Sequence, residues 1–238
     1  MARKVLVTGS TQGIGKAIAK AFVQIGDEVF VHCARDMNKA ESVRAEIDAA
    51  HAVVADLLEW RSVNELYAKT GAVDCLIINA SVQYKQTWDK ITDDAIDQQI
   101  DINIKSTVKL MTTYYPAMKE KHFGRIVMIG SVNQHRRHSE LALYSATKCA
   151  DMSLVKNLAK QVAPFGVTVN NISPGAIVTP RNADVYGDEK QRKAVESLIP
   201  MGHFGTPEDC VGAVLLLCSA QGSYITGADI AVDGGMGL

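Results

Sequence analysis

The spacing Tyr-x-x-x-Lys occurs three times in the chain, at Tyr115/Lys119, Tyr144/Lys148 and Tyr186/Lys190. On a helix this spacing sets phenol and ammonium on one face, one turn apart. Such a pair is a candidate for proton transfer wherever something else holds it against a ligand. Context separates the three. Tyr115 precedes Pro116 on a helix that ends before a strand, and reads as surface. Tyr186 sits beside Gly187 in a charged loop, where a rigid pairing is not expected. Tyr144 opens a long amphipathic pattern shortly after an apolar strand whose C-terminal end carries Ser131.

A second chemical signal lies at the start of the chain, in Thr8-Gly9-Ser10-Thr11-Gln12-Gly13-Ile14-Gly15. A strand precedes it and a helix follows. Glycines there let backbone N–H groups approach a pyrophosphate, and the helix N-terminus adds partial positive charge. The spacing is G-x-x-x-G-x-G rather than G-x-G-x-x-G, and it lacks the Lys-Ser/Thr of a triphosphate loop. The adenosine end of a dinucleotide would reach the end of the second strand, His32-Cys33-Ala34-Arg35-Asp36. No acid stands at that strand end and Arg35 comes first. The reading therefore favours NADP(H), with NAD(H) possible through Asp36.

Both signals need a scaffold. Apolar, β-branched runs at 4–8, 29–32, 52–55, 75–78, 125–130, 167–173 and 229–232 read as strands. Several are apolar throughout, as parallel strands covered on both faces must be. Helical patterns lie between them. Residues 14–25 put Ile14, Ile18, Ala21, Phe22 and Ile25 on one stripe, and residues 141–162 do the same with Leu154, Val155, Leu158 and Val162. Another long helix is expected over 95–119. Gly26, Gly71, Gly124 and Gly166 fall where helix C-cap glycines belong. The alternation predicts an α/β fold: one doubly wound, Rossmann-type parallel sheet with helices on both faces, over 1–238 as a single domain. The segment around 176–206, rich in charge, Gly and Pro after a strand end, is expected to be a substrate lid or a plain surface excursion.

Composition narrows the function. The 25 basic and 26 acidic residues leave a net charge of −1, which supplies no global field for nucleic acid or an anionic membrane. No apolar run is long enough to span a bilayer, and the N-terminus lacks a secretory signal. Five scattered cysteines with no C-x-x-C read as reduced core fillers of a cytoplasmic protein, without a metal site.

Taken together the residues resemble a short-chain dehydrogenase/reductase along nearly the whole chain. Thr8-Gly9 through Gly13-Ile14-Gly15 resembles the family's glycine turn. Asp56-Leu57 resembles its adenine-contacting acid. Asn103, Ser131, Tyr144 and Lys148 resemble its catalytic set. Pro174-Gly175, Ile177 and Thr179 resemble the segment that holds the nicotinamide carboxamide, and 227–235 resembles its last strand. The family's N-N-A-G reads Ile78-Asn79-Ala80-Ser81 here, so Ile78 and Ser81 depart from it, and Ser81 narrows the space expected beside the cofactor ribose.

The resemblance implies hydride transfer between nicotinamide and a carbonyl or secondary alcohol. Tyr144 would be the general acid/base. Ser131 would bond the same oxygen. Lys148 would favour the phenolate and hold the ribose, and Asn103 would link Lys148 to solvent through water. A free tyrosine has a pKa near 10, so lowering it by about 3 units takes about 4 kcal/mol of differential stabilisation. The implied substrate is a small molecule: a 3-oxoacyl thioester, a sugar or polyol, or a small ketone. A homodimer or homotetramer is implied as well. The alternatives are a non-catalytic dinucleotide sensor or scaffold, and a lyase or epimerase that reuses the cofactor. His135-Arg136-Arg137-His138 is either a solvated basic loop or a site for an anionic substrate group. Tyr84 and Trp88 either pack or wall the pocket.

Overall fold

The computed structural model describes residues 2–238. Its centre is one seven-stranded sheet, all parallel, in the order β3-β2-β1-β4-β5-β6-β7. The strands are β1 (Lys4–Val7), β2 (Glu28–Cys33), β3 (His51–Val54), β4 (Cys75–Ile78), β5 (Gly124–Ile129), β6 (Val167–Pro174) and β7 (Asp229–Val232). The helices are α1 (Gly13–Gln24), α2 (Met37–Ile47), α3 (Val63–Thr70), α4 (Asp93–Gln99), α5 (Ser106–Lys121), α6 (Ala142–Val162), α7 (Ala183–Gly187), α8 (Glu189–Glu196) and α9 (Val211–Cys218).

Strand alternation makes the two layers. Val5 and Val7 face one side, where they join Ile18 and Phe22 of α1, Val43 and Ile47 of α2, and Val214 and Leu217 of α9. Leu6 faces the other side, with Leu66 of α3, Leu110, Tyr114 and Met118 of α5, and Val155 and Ala159 of α6. Strand order reverses between β1 and β4, which opens a crevice at the carboxyl ends of the strands.

Three expectations are corrected. The helix expected over 95–119 is broken: a π-helical turn (Ile100–Lys105) separates α4 from α5. Gly124 is not a C-cap. His122 takes the left-handed conformation that ends α5, at φ 53°, and Gly124 is the first residue of β5. A Cβ at Gly124 would lie 2.5 Å from the Met118 side chain, so close packing explains that glycine. Finally, Cys149 is exposed rather than a core filler. The 176–206 segment carries α7 and α8, flanked by turns and a short 3-10 turn at Pro180–Asn182.

Candidate active site

The crevice is a cavity of about 470 Å³ that runs from the glycine turn to the N-terminal end of α6. Gly9, Thr11, Gln12, Gly13 and Ile14 line one end, with Asp56, Leu57, Asn79, Ala80 and Ser81 beside them. Ser131, Tyr144, Pro174, Gly175, Ile177 and Thr179 line the other. Residues far apart in sequence thus form one continuous wall.

Close packing fixes the turn. Gly9 has φ +63°, and a Cβ there would meet the Ala80 backbone at 3.1 Å. A Cβ on Gly15 would lie 2.5 Å from the Asn79 amide nitrogen, which donates to the carbonyls of Thr8 (2.9 Å) and Gly9 (3.1 Å). The Thr8 hydroxyl in turn accepts from the backbone N–H groups of Asn79 and Ala80. Gly15 and Ser10 therefore shape the turn from behind without facing the cavity. Ser10 is buried, with its Oγ accepting from the His32 N–H.

His32 is a residue that the sequence reading missed. Its Nδ1 accepts from Gly9 N–H at 3.0 Å, and its Nε2 lies 2.9 Å from the Ala55 carbonyl. Those partners require the neutral tautomer with the proton on Nε2. Complete burial lowers its pKa to about 4. A buried histidine at a strand end gives no local signal, because its partners come from the turn after β1 and from just beyond β3.

At the adenosine end, Arg35 does not face the cavity. It is mostly exposed, and its Nε bonds Asp56 Oδ2 at 2.5 Å. Lys39 lines the cavity instead, with Nζ 3.1 Å from Gln12 Oε1.

At the other end, Ser131 caps a single turn after β5. Its Oγ accepts from Asn133 N–H at 3.2 Å, which leaves its own proton free to donate. Tyr144 is 4% exposed, and Lys148 Nζ stands 5.8 Å from its ring centroid. Lys148 is buried behind the wall, where it donates to the Ile129 carbonyl at 3.1 Å and to Asp151 Oδ2 at 3.0 Å. Asn103 sits in the π-helical turn. Its amide accepts from Val82 N–H (2.9 Å) and donates to Val82 O (3.0 Å) and Thr147 Oγ1 (3.1 Å). The side chain thus clamps the segment after β4 to α6 through Val82 and Thr147. Thr147 donates on to Tyr144 O at 2.7 Å.

Tyr84 and Trp88 do not wall the cavity: Tyr84 donates to Gln98 Oε1, and Trp88 is exposed. Gln83 and Lys85 line it in their place. The departure at Ser81 has a partner in Arg181, which donates to the Ser81 carbonyl at 2.7 Å and to its Oγ at 3.1 Å. Among the described residues no cluster of side chains suits a metal ion, and no helix is long and apolar enough to cross a membrane.

The family model described as Enoyl-(Acyl carrier protein) reductase matches residues 9–237. This chain is a short-chain dehydrogenase/reductase. It is 36% identical to the 3beta-hydroxysteroid dehydrogenase 1 of Eggerthella lenta, over 99% of this chain and 94% of that one. It superposes with a TM-score of 0.92 on a 3-oxoacyl (acyl-carrier-protein) reductase of Agrobacterium tumefaciens C58 solved with NADP, at 35% identity over 98% of this chain and 93% of that one. A 3-ketoacyl-(acyl-carrier-protein) reductase of Brucella melitensis solved with NADH gives 0.89, at 30% identity over 99% and 98%. Similarity to named reductases and dehydrogenases over almost the full length makes the chain an oxidoreductase of this family.

The cradle fits a dinucleotide in a short-chain dehydrogenase/reductase. The glycines leave backbone exposed at one end, where a Cβ on Gly13 would lie 3.2 Å from Thr179, and the cavity continues unbroken to Tyr144. Because His32 braces this cradle only when neutral, pH should act on the fold. The unfolded chain binds the proton at ordinary histidine pKa and the native state only near 4. His32's contribution is therefore complete above about pH 6.5 and is lost as pH falls toward 4. Unfolding in urea at about pH 7.5 and about pH 5 should show stability lower by about 2 kcal/mol at the acid value. In His32→Gln this slope should flatten by nearly one proton. An unchanged slope would remove His32 from this role.

Proposed function

We propose that this enzyme transfers hydride between a nicotinamide dinucleotide and a carbonyl or secondary alcohol, with Tyr144 as general acid/base. The observation that carries the reading is the shared cavity wall: Tyr144 and Ser131 face the space that the glycine turn opens into, with the Lys148 ammonium behind the phenol. A bound nicotinamide would supply or accept the hydride. Tyr144 would give its phenolic proton to a substrate alkoxide, or take one from an alcohol. The free Ser131 hydroxyl proton would donate to the same oxygen. Lys148 would hold positive charge near the phenol and favour its ionised form. Asn103 would keep α6 and the segment after β4 in register. Tyr144→Phe should lower turnover about 10³-fold while cofactor affinity, followed by quenching of protein fluorescence, stays within about twofold. A Tyr144→Phe protein that still turns over would remove Tyr144 from the acid/base role, whereas a wild-type protein that binds the cofactor without turnover on any carbonyl would favour the sensor or scaffold reading.

The cofactor we propose is NADP(H), with NAD(H) as the weaker ligand. Lys39 places a cation at the adenosine end, and Asp56, the acid lining that end, is already paired with Arg35 just outside it. That arrangement suits a 2′-phosphate better than a bare ribose. The double variant Arg35→Ser/Lys39→Ser should weaken NADPH about tenfold and leave NADH nearly unchanged in parallel titrations.

For the substrate we propose a carbonyl compound with an apolar body and an anionic group. Leu141, Val185, Val195, Phe204 and Met236 supply apolar wall, while Lys85, Arg136 and His138 supply basic groups. Lys85 is paired with Asp184 at 3.0 Å, and Arg136 has no carboxylate partner among the described residues. His135, by contrast, turns away to Asp229 at 2.6 Å. The basic loop thus divides, with Arg136 and His138 at the cavity. Among the expected substrates, a 3-oxoacyl compound bearing a carboxylate or phosphate fits this lining better than a neutral polyol. Arg136→Ala should raise KM about tenfold for a 3-keto acid and leave KM for its methyl ester unchanged. Equal effects on both would exclude the anionic group. Exposed apolar side chains on α4 and α5 (Ile96, Val108) and toward the C-terminus (Leu216, Tyr224, Leu238) support self-association as the reason for their exposure.

A further inference from the structure

The chemistry proposed for Tyr144 and Lys148 leaves unused a buried carboxylate beside them. Asp151 lies on α6 just past Lys148, fully buried, with Oδ2 3.0 Å from the ammonium. Its second oxygen, Oδ1, is buried with no hydrogen-bond partner. Burial pushes this carboxyl up, and Lys148 pulls it back down. An apolar residue would pack here without leaving an oxygen unbonded, so helix packing alone does not explain a carboxylate at this point.

The charged groups on the elements that pack against α6 lie elsewhere. Asp101 and Lys105 of the π-helical turn bond each other at 2.6 Å. Asp93, Asp94 and Asp97 are on α4, and Lys109, Lys119, Glu120 and Lys121 are on α5. The β6 face is neutral, with Asn170 and Asn171. After β5, Gln134 donates to Asp229, which also pairs with His135. Of these groups, Asp151 responds to Lys148 and to its own burial. On the far side of Tyr144, the cavity wall carries Lys85, Arg136 and His138.

We propose that Asp151 is a positioning residue for Lys148: it anchors the ammonium on α6 and sets how much of its charge reaches Tyr144. The proposal rests on the acid/base reading of Tyr144. With the carboxylate in place, Lys148 and Asp151 form a neutral pair beside the phenol. Without its negative charge, the ammonium acts on Tyr144 uncompensated. A cation within about 4–6 Å of an acid favours the charged form by about 1–3 pH units, and Asp151 would hold back part of that effect.

The first arm of the test needs no substrate. Phenolate formation is followed by ultraviolet difference titration of the cofactor-free enzyme against Tyr144→Phe, and of Asp151→Asn against Asp151→Asn/Tyr144→Phe. The curve assigned to Tyr144 should move to lower pH by about one unit in Asp151→Asn. Asp151→Glu, which keeps the charge, should return it toward the wild-type midpoint, and the acid limb of alcohol oxidation should move in the same order. The same midpoint in wild type and Asp151→Asn, with circular dichroism and Tm intact, would overturn the proposal. Should Asp151→Asn not fold, Asp151→Glu against Asp151→Gln makes the same comparison. Turnover that survives in Tyr144→Phe would sink the acid/base reading itself. An unmoved midpoint with Tyr144→Phe inactive would sink only the role of Asp151.

Discussion

The structure turns on a buried ammonium. Lys148 is a charge removed from water where α6, packed on β6, reaches the carboxyl end of β5, and a lone charge there would carry a large desolvation cost. The Ile129 carbonyl and Asp151 offset it. Those bonds hold α6 against the carboxyl end of β5, and that contact places Tyr144 in the same wall as Ser131. The parallel sheet matters because it brings every strand's carboxyl end to one edge. The glycine turn after β1, Ser131 after β5 and Pro174 at the end of β6 therefore converge without any of them being near in sequence.

The same edge carries a second brace made from polar side chains rather than apolar packing. His32, Ser10, Thr8 and Asn79 bond the turn after β1 to β2 and β4, and Asn103 bonds the segment after β4 to α6. Backbone at a ligand cradle must stay open, so it cannot be covered by a helix as the rest of the sheet is. Hydrogen bonds from behind fix it instead, and each buried partner must be satisfied for the brace to hold. Ser81 fits this pattern. Where the family has glycine, its carbonyl and hydroxyl receive the Arg181 guanidinium, which ties the end of β4 to the segment that follows Thr179.

The legible part of this architecture was local. Strands buried on both faces announce themselves as apolar runs, and their ends fall within about a residue or two of expectation. The glycine turn and the Tyr144/Lys148 spacing are likewise written in short windows. The break between α4 and α5 was not legible, because the bonds that accompany it join Asn103 to Val82, residues that only the fold brings together. His32 was invisible for the same reason. Arg35 was visible as a charge, but its pairing with Asp56 and the turning of Lys39 into the cavity depend on how β2 and β3 lie side by side. Asp151 was within reach: three residues after Lys148 is a helical ion-pair spacing. What the spacing does not say is that both groups would be buried.

Charge shows most clearly how composition and site part company. A chain with 25 basic and 26 acidic residues has no field to speak of at long range. Acids and bases need not be mixed evenly, however, and here they are not. The cavity collects Lys39, Arg136 and Arg181, with Lys85 paired to Asp184, while the carboxylate in its wall, Asp56, is matched by Arg35. Inside a crevice with low-dielectric walls, a few unmatched cations act more strongly than they would on an open surface. A neutral chain can therefore hold a basic site, and the balancing acids, such as those of α4, sit on other faces of the fold. Behind the wall the arrangement reverses, since Asp151 removes charge at the point where Lys148 would otherwise add it. On the proposed roles, positive charge gathers where an anionic ligand would enter and is moderated beside the phenol that would move the proton.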